Sequence, residues 1–225
     1  MFSVDGDRIV IRSKSKRSSF GSVKKRGKVE LVMPPGMDLT VDASSGSCTI
    51  GGDLGDGAVD VDISSGSTKI DGAMRELRVD ASSGSVKVNL TRAVERVNVD
   101  VSSGSVRVVG PTPDVRVDTS SGSINLEGLT GSAKLGASSG SITASWTEIW
   151  DGATVNADAS SGSVNLTFPQ GTRLTGAVDT SSGGIRSDFP GELSKRRNHM
   201  VLDGGAGAVQ VRVDTSSGGV TLTER

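Results

Sequence analysis

The tripeptide Ser-Ser-Gly occurs nine times in the 225-residue chain, ending at Gly46, Gly66, Gly84, Gly104, Gly122, Gly140, Gly162, Gly183 and Gly218. Successive intervals are 20, 18, 20, 18, 18, 22, 21 and 35 residues. A fixed period of this length is the mark of a repeat architecture. Aligning the copies on the Gly exposes the physics. Seven, five and three residues before it the side chains are apolar or small: Leu39, Val41 and Ala43; Leu77, Val79 and Ala81; Val97, Val99 and Val101. Two and four residues after it they are apolar again, as in Val86 and Val88, Val106 and Val108, Ile124 and Leu126. Both stretches alternate with period two, the period of a β-strand. The inward parity flips across Ser-Ser-Gly, which a continuous strand cannot do. The tripeptide is therefore a bulge or corner, where Gly supplies backbone freedom and Ser fits a tight bend. The nine corner glycines are thus expected to be structural.

Each repeat is thus strand, corner, strand and return turn, the last marked by breakers such as Gly51-Gly52, Asp71-Gly72, Gly110-Pro111 and Gly128. One repeat holds too few inward side chains to bury them alone. Stacked in parallel about 4.8 Å apart, repeats close a narrow core. The expectation is an all-β, single-domain parallel β-solenoid (a β-helix) with about 18–22 residues per coil and a length on the order of 45–55 Å from that spacing. The sequence divides into N-terminal edge strands and a basic loop (1–38), regular coils (39–187), an insertion (188–210) and a closing coil (211–225). No window keeps a helical i, i+3, i+4 stripe, and no linker separates the repeats. Composition agrees: the nine corners take 27 residues as Ser-Ser-Gly, much of the excess in 31 Gly and 35 Ser, and a core two strands wide has little room for rings, of which there are four Phe, two Trp and no Tyr.

Charge is balanced overall, with 25 basic and 26 acidic residues, but unevenly placed. From Arg8 to Lys28 there are nine Lys or Arg and no Asp or Glu. This segment reads as two edge strands, Arg8–Arg12 and Lys28–Met33, joined by the loop Ser13–Gly27. Basic residues on an exposed edge block strand addition. Alternatively Lys14, Lys16, Arg17, Lys24, Lys25 and Arg26 dock an anionic surface such as nucleic acid, acidic lipid or an envelope polymer. No interleaved aromatics support specific nucleic-acid recognition. No apolar run approaches the ~20 residues of a transmembrane helix. The N-terminus is not a signal peptide, so the chain is cytoplasmic as it stands or lacks an upstream export segment.

Among polar residues, an Asp stands four before the Gly in eight copies, including Asp42, Asp62, Asp80, Asp100 and Asp118, with Gly136 breaking the column. Stacked carboxylates repel by roughly 0.9 kcal/mol per neighbouring pair at water dielectric. Cations at Arg78, Arg116, Lys134 and Arg212, and at Lys69, Lys87, Arg107 and Arg186, suit a solvated salt-bridge lattice. A calcium ladder on the Asp column is the sharper alternative, and the interleaved cations weigh against it. Ser at the corners is expected to point inward and bond along the stack; outward Ser would offer a hydroxyl array to ice or polysaccharide. Cys48 takes an inward place filled by Val or Ile elsewhere. His199 lies in a polar insertion as a surface-loop residue, and no catalytic triad can be built around it. Trp146 and Trp150 flank Ile149 in a long return turn. Two exposed rings would stack sugars; otherwise they cover the apolar edge of the turn. No cofactor motif is present.

The run Val29-Glu-Leu-Val-Met-Pro-Pro-Gly-Met-Asp-Leu-Thr-Val-Asp-Ala-Ser-Ser-Gly-Ser47, with the ending Gly204-Gly-Ala-Gly207 and Val211–Leu222, resembles a large bacterial family of adhesin-like β-strand-repeat domains of unknown function. The resemblance covers roughly 29–225. It implies a β-solenoid, often in the bacterial envelope or beside membrane segments, and supplies no catalytic residues. Family members commonly carry strands before the point where this chain begins, so export stays open. Three functions follow as expectations. The first is a non-catalytic scaffold presenting a rigid face to a protein, glycan or envelope polymer. The second is a cytoplasmic interaction module that self-assembles end to end. The third, a glycan-active enzyme, is disfavoured because no acid and base converge.

Overall fold

The structure, a computed structural model, describes residues 2–5, 8–11 and 29–225. It forms two compact units, Met1–Met33 and Pro34–Arg225. In the first, Phe2–Asp5 and Arg8–Ile11 pair as an antiparallel hairpin. The expected strand at Lys28–Met33 is not formed over its described part, 29–33. Val29, Leu31 and Val32 are exposed there. Pro34-Pro35 follows directly, and proline has no N–H to give a ladder. The basic loop residues Lys14, Lys16, Arg17, Lys24, Lys25 and Arg26 lie outside the described residues.

The second unit is a β-solenoid of nine coils, numbered here in chain order, and no helix occurs among the described residues. Coil 1 is Leu39–Ala43 with Cys48–Asp53. Coil 2 is Ala58–Ser65 with Thr68–Ala73. Coil 3 is Glu76–Ser83 with Val86–Leu90. Coil 4 is Arg96–Ser103 with Val106–Val109. Coil 5 is Asp114–Ser121 with Ile124–Leu129. Coil 6 is Ser132–Ser139 with Ile142–Trp146. Coil 7 is Thr154–Ser161 with Val164–Phe168. Coil 8 is Leu174–Ser182 with Ile185–Ser187, and coil 9 is Val209–Ser217 with Val220–Glu224. The nine first strands, with Gly191–Leu193 and His199–Asp203, form an eleven-stranded sheet, and the nine second strands form a nine-stranded sheet.

Alternation sets the core. In coil 3, Leu77, Val79 and Ala81 are buried while Arg78 and Asp80 face solvent. The corners carry the expected distortion. Gly46, Gly66, Gly84, Gly104, Gly122, Gly140, Gly162 and Gly218 all have φ between 124° and 150°. Gly183 is the one corner glycine outside that region, a departure from the shared corner geometry. Backbone pairing nevertheless runs through the corner: Gly66 N–H donates to the Ser83 carbonyl at 3.0 Å, and Thr68 N–H to that of Ser85 at 3.0 Å. The same bond recurs up the stack, from Gly104 N–H to Ser121, from Gly122 to Ser139 and from Gly140 to Ser161, at 2.8–2.9 Å. The coils therefore approach closely. A Cβ on Gly84 would overlap the carbonyl oxygen of Gly66, and one on Gly104, Gly122 or Gly140 would overlap that of the preceding corner glycine.

The expected inward corner serines are not found. In coils 2 to 9 both serines before the corner Gly are exposed. The bulge turns the second serine out where strict alternation would bury it. The inward hydroxyls belong instead to Thr three places before the Gly. Thr180 Oγ donates to the Gly218 carbonyl at 2.9 Å and Thr215 Oγ to that of Gly162 at 3.2 Å.

Chain order and spatial order differ at one end. Coil 9 lies between coils 7 and 8, with parallel register to both in each sheet. The expectation of a closing coil at the terminus of the stack is thus corrected: coil 8 is the last, and coil 9 is inserted before it. The segment 188–210 explains why. It forms a hairpin, Gly191–Leu193 with His199–Asp203, whose second strand pairs antiparallel with Leu174–Ser182 of coil 8. That pairing occupies the outer edge of coil 8, so coil 9 can stack only on its inner side. The hairpin leaves a three-residue exposed edge, which gives little for another strand to pair with. At the opposite end, Leu39, Val41 and Ala43 of coil 1 are only half-buried, where Val59, Val61 and Ile63 of coil 2 are buried.

Candidate functional site

The outward face of the eleven-stranded sheet carries the most ordered chemistry. The Asp of each coil pairs in register with the next: Asp42 with Asp62, Asp62 with Asp80, Asp80 with Asp100 and Asp100 with Asp118. Gly136 interrupts, and the column resumes through Asp158, Asp214 and Asp179. Strand parity points these side chains outward, and parallel stacking at about 4.8 Å makes them neighbours. The middle of the column feels this most. Burial first, then the charges of Asp80 and Asp118, push the Asp100 carboxyl above its ordinary pKa, against smaller opposing effects of Arg116 and Arg78.

The expected salt-bridge lattice is only partly formed. Among the described residues, one member of the column is ion-paired, Asp118 with Arg116 at 3.0 Å, and another, Asp179, lies 2.6 Å from the His199 imidazole. Arg78 reaches Asp60 at 3.9 Å instead. Lys69, Lys87, Arg107 and Arg186 do not flank the column, because they follow the corner and lie on the nine-stranded sheet. There Arg107 pairs with Glu127 at 3.0 Å. As calcium ligands, Asp42, Asp62, Asp80, Asp100 and Asp118 supply one carboxylate per coil and do not converge. Among the described residues no group of three or more His, Cys, Asp or Glu is placed to hold a metal ion.

Gly136 makes the face concave. Without a side chain in the column at coil 6, a groove of about 700 Å³ opens, lined by Asp118, Lys134, Gly136, Asp158, Arg212 and Asp214 among others. The Asp118 carboxylate leans into it, since a Cβ on Gly136 would overlap its Oδ1. The groove carries both signs of charge and suits a mixed-charge surface better than a single ion. It is visible in the sequence only as the one break in the Asp column.

The two tryptophans have different fates. Trp146 is not an exposed sugar platform. It is buried at 5% exposure and stacks on Phe168 with ring centroids 4.8 Å apart. Its indole N–H donates to the Gly131 carbonyl at 2.7 Å. Phe189 meets Phe168 edge-on at 5.7 Å, so three rings fill one end of the core. Trp146 ends its strand at an inward position, which is why it turns in. Trp150 lies beyond the strand, is 47% exposed and rests on Gly131. It alone of the pair is open to a ligand. His199 opens a hairpin strand rather than sitting in a loop, opposite Asp179. Cys48 is half-buried in coil 1, and burial pushes its thiol pKa up. Among the described residues, no helix is long and apolar enough to cross a membrane.

No curated protein and no solved structure matches the chain. A family model described as Toastrack DUF4097 matches residues 3–223. That match covers nearly the whole chain and reaches into all nine coils. The chain belongs to the Toastrack DUF4097 family, a domain of unknown function.

Proposed function

We propose that this domain is a non-catalytic scaffold that presents a rigid, repetitive face to a macromolecular partner at the bacterial cell envelope, in the manner of an adhesin. The observation that carries this reading is the in-register Asp column on the eleven-stranded sheet, with its mixed-charge groove at Gly136. Ladder hydrogen bonds on both sides of each strand fix the spacing of those charges, so a partner meets a preorganised lattice and loses little to reordering it. Charge arrays of this kind set specificity and association rate more than affinity. A glycan-active enzyme would instead need an acid and a base converging on one bond, whereas these carboxylates repeat once per coil.

Fractionation of native cells tests the compartment. Binding to purified envelope fractions tests the face, using Asp80→Asn, Asp100→Asn and Asp118→Asn together. Salt-sensitive binding that falls at least tenfold in the triple variant is expected. Equal binding by the variant, or a protein confined to the cytoplasm, overturns the reading.

A second reading, a cytoplasmic module that assembles end to end, is favoured by one observation: the half-buried Leu39, Val41 and Ala43 of the first coil, the edge strand of its sheet. Such an edge is a template for pairing. Val41→Lys would abolish concentration-dependent assembly in light scattering if that end were the contact.

A further inference from the structure

Coil 9 behaves as a ligand of its own fold. Its first strand is held by Thr154–Ser161 on one side and Leu174–Ser182 on the other. Its second strand is held by Val164–Phe168 and Ile185–Ser187. Val211, Val213, Thr215, Val220 and Leu222 point inward and are buried. Removing a coil from the end of a stack leaves one ladder edge. Removing coil 9 leaves two edges facing each other across the width of one coil. Such a slot offers backbone donors and acceptors on both sides and apolar side chains from both. Its occupant is closely specified: a strand, corner and strand in parallel register.

The segment Gly204–Ala208 joins coil 9 to the hairpin strand before it, and its Gly205, Ala206 and Gly207 are exposed. Extended, five residues reach roughly 17 Å. A second copy of the chain presents the same slot and the same coil. An exchanged coil would make the same ladder bonds and the same core contacts, and only the glycine-rich connection would change course.

We propose that coil 9 exchanges between copies of this chain: the partner that fits the slot between coils 7 and 8 is coil 9 of a second copy, and the product is a reciprocally swapped dimer. Because coil 9 is buried on both sides, exchange takes place while the slot is open, during folding or partial unfolding, and not between folded monomers. The inference is independent of the envelope reading, which concerns the outer face of the sheet.

The test uses the full chain with Cys48→Ser. Ser161 and Ser217 are register partners across coils 7 and 9, and neighbouring parallel strands about 4.8 Å apart lie within disulfide reach. Differently tagged Ser161→Cys and Ser217→Cys proteins are mixed, unfolded together, refolded and oxidised. The expected result is a covalent heterodimer more than tenfold above a Ser83→Cys plus Ser217→Cys control. It should rise with protein concentration during refolding and be missing when folded proteins are mixed. A yield no greater than the control at every concentration overturns the proposal. A second variant lacks Gly204–Ala208, which bonds Asp203 directly to Val209 although the two lie on opposite sides of Leu174–Ser182, two strand spacings of about 4.8 Å apart, so that coil 9 cannot reach its own slot. It should run at twice the monomer mass by light scattering. A folded monomer of this variant that closes a Ser161→Cys to Ser217→Cys disulfide within one chain also overturns it.

Discussion

His199 Nδ1 lies 2.6 Å from Asp179 Oδ1 across the antiparallel pairing of the hairpin strand His199–Asp203 with Leu174–Ser182 of coil 8. The imidazole thus terminates the carboxylate column at the end where the hairpin terminates the stack. Both side chains are about half exposed, so the contact is worth at most about 1 kcal/mol. His199→Ala is expected to cost no more than that in urea denaturation. A larger loss would mean that the hairpin depends on this contact to stay docked.

Thr68 lies inward in coil 2, in register with Val86 of coil 3, and its hydroxyl is buried with no hydrogen-bond partner among the described residues. Replacing both a buried polar atom and its desolvation cost with a methyl group is favourable. Thr68→Val should stabilise the protein by about 1 kcal/mol, a rise of about 3 °C in thermal midpoint. A lower midpoint would show that the hydroxyl does find a partner.

Two corner glycines separate backbone strain from coil contact. Gly46 and Gly84 have φ of 129° and 124°. A Cβ on Gly46 meets nothing within 4 Å, whereas one on Gly84 runs into the Gly66 carbonyl. Gly46→Ala carries the strain alone and should cost about 1–3 kcal/mol. Gly84→Ala should cost clearly more, at least about 4 kcal/mol, or fail to fold. Equal midpoints for the two variants would remove the close-approach account of the corner.

Asp100 gives the pH dependence its sign. Its carboxyl titrates above the ordinary value because of burial and of Asp80 and Asp118. A carboxyl that binds its proton more readily in the folded chain than in the unfolded one costs stability when ionised. That cost is present above the raised folded pKa and is relieved as pH falls through it toward the unfolded value. Asp100→Asn should therefore raise the thermal midpoint at pH 7, by about 2 °C, and the gain over wild type should shrink at pH 3. An advantage that is constant with pH would assign the effect to packing.

Trp146 and Trp150 should separate in the same denaturation experiment. Trp146→Ala empties the ring stack with Phe168 and should cost about 3–5 kcal/mol. Trp150→Ala should cost less than about 1 kcal/mol. If glycan-array binding is found, it should be lost with Trp150→Ala alone.

The architecture was legible because every coil repeats it. Val97, Val99 and Val101 state a strand, and the parity flip to Val106 and Val108 states a corner. Three things were not legible, for different reasons. The exposure of the second corner serine depends on bulge geometry, which alternation does not encode. The burial of Trp146 depends on Phe168, 22 residues away, and on the Gly131 carbonyl. The place of coil 9 depends on the hairpin having already taken the outer edge of coil 8, and nothing in the Val211–Leu222 pattern distinguishes an inner coil from a last one. For the candidate site, the Asp column was legible, while its groove reduces to a missing side chain at Gly136.

The inserted coil also makes the domain sensitive to its own completion. Coil 8 is made before coil 9, so a new chain must hold the place between coils 7 and 8 open until coil 9 arrives. Loss of an ordinary end coil would leave a shorter stack with one unpaired edge. A chain cut before residue 209 would instead keep two unpaired edges, the kind of surface on which chaperones and proteases act. The fold therefore reports, by closing or not, whether coil 9 has been made and seated.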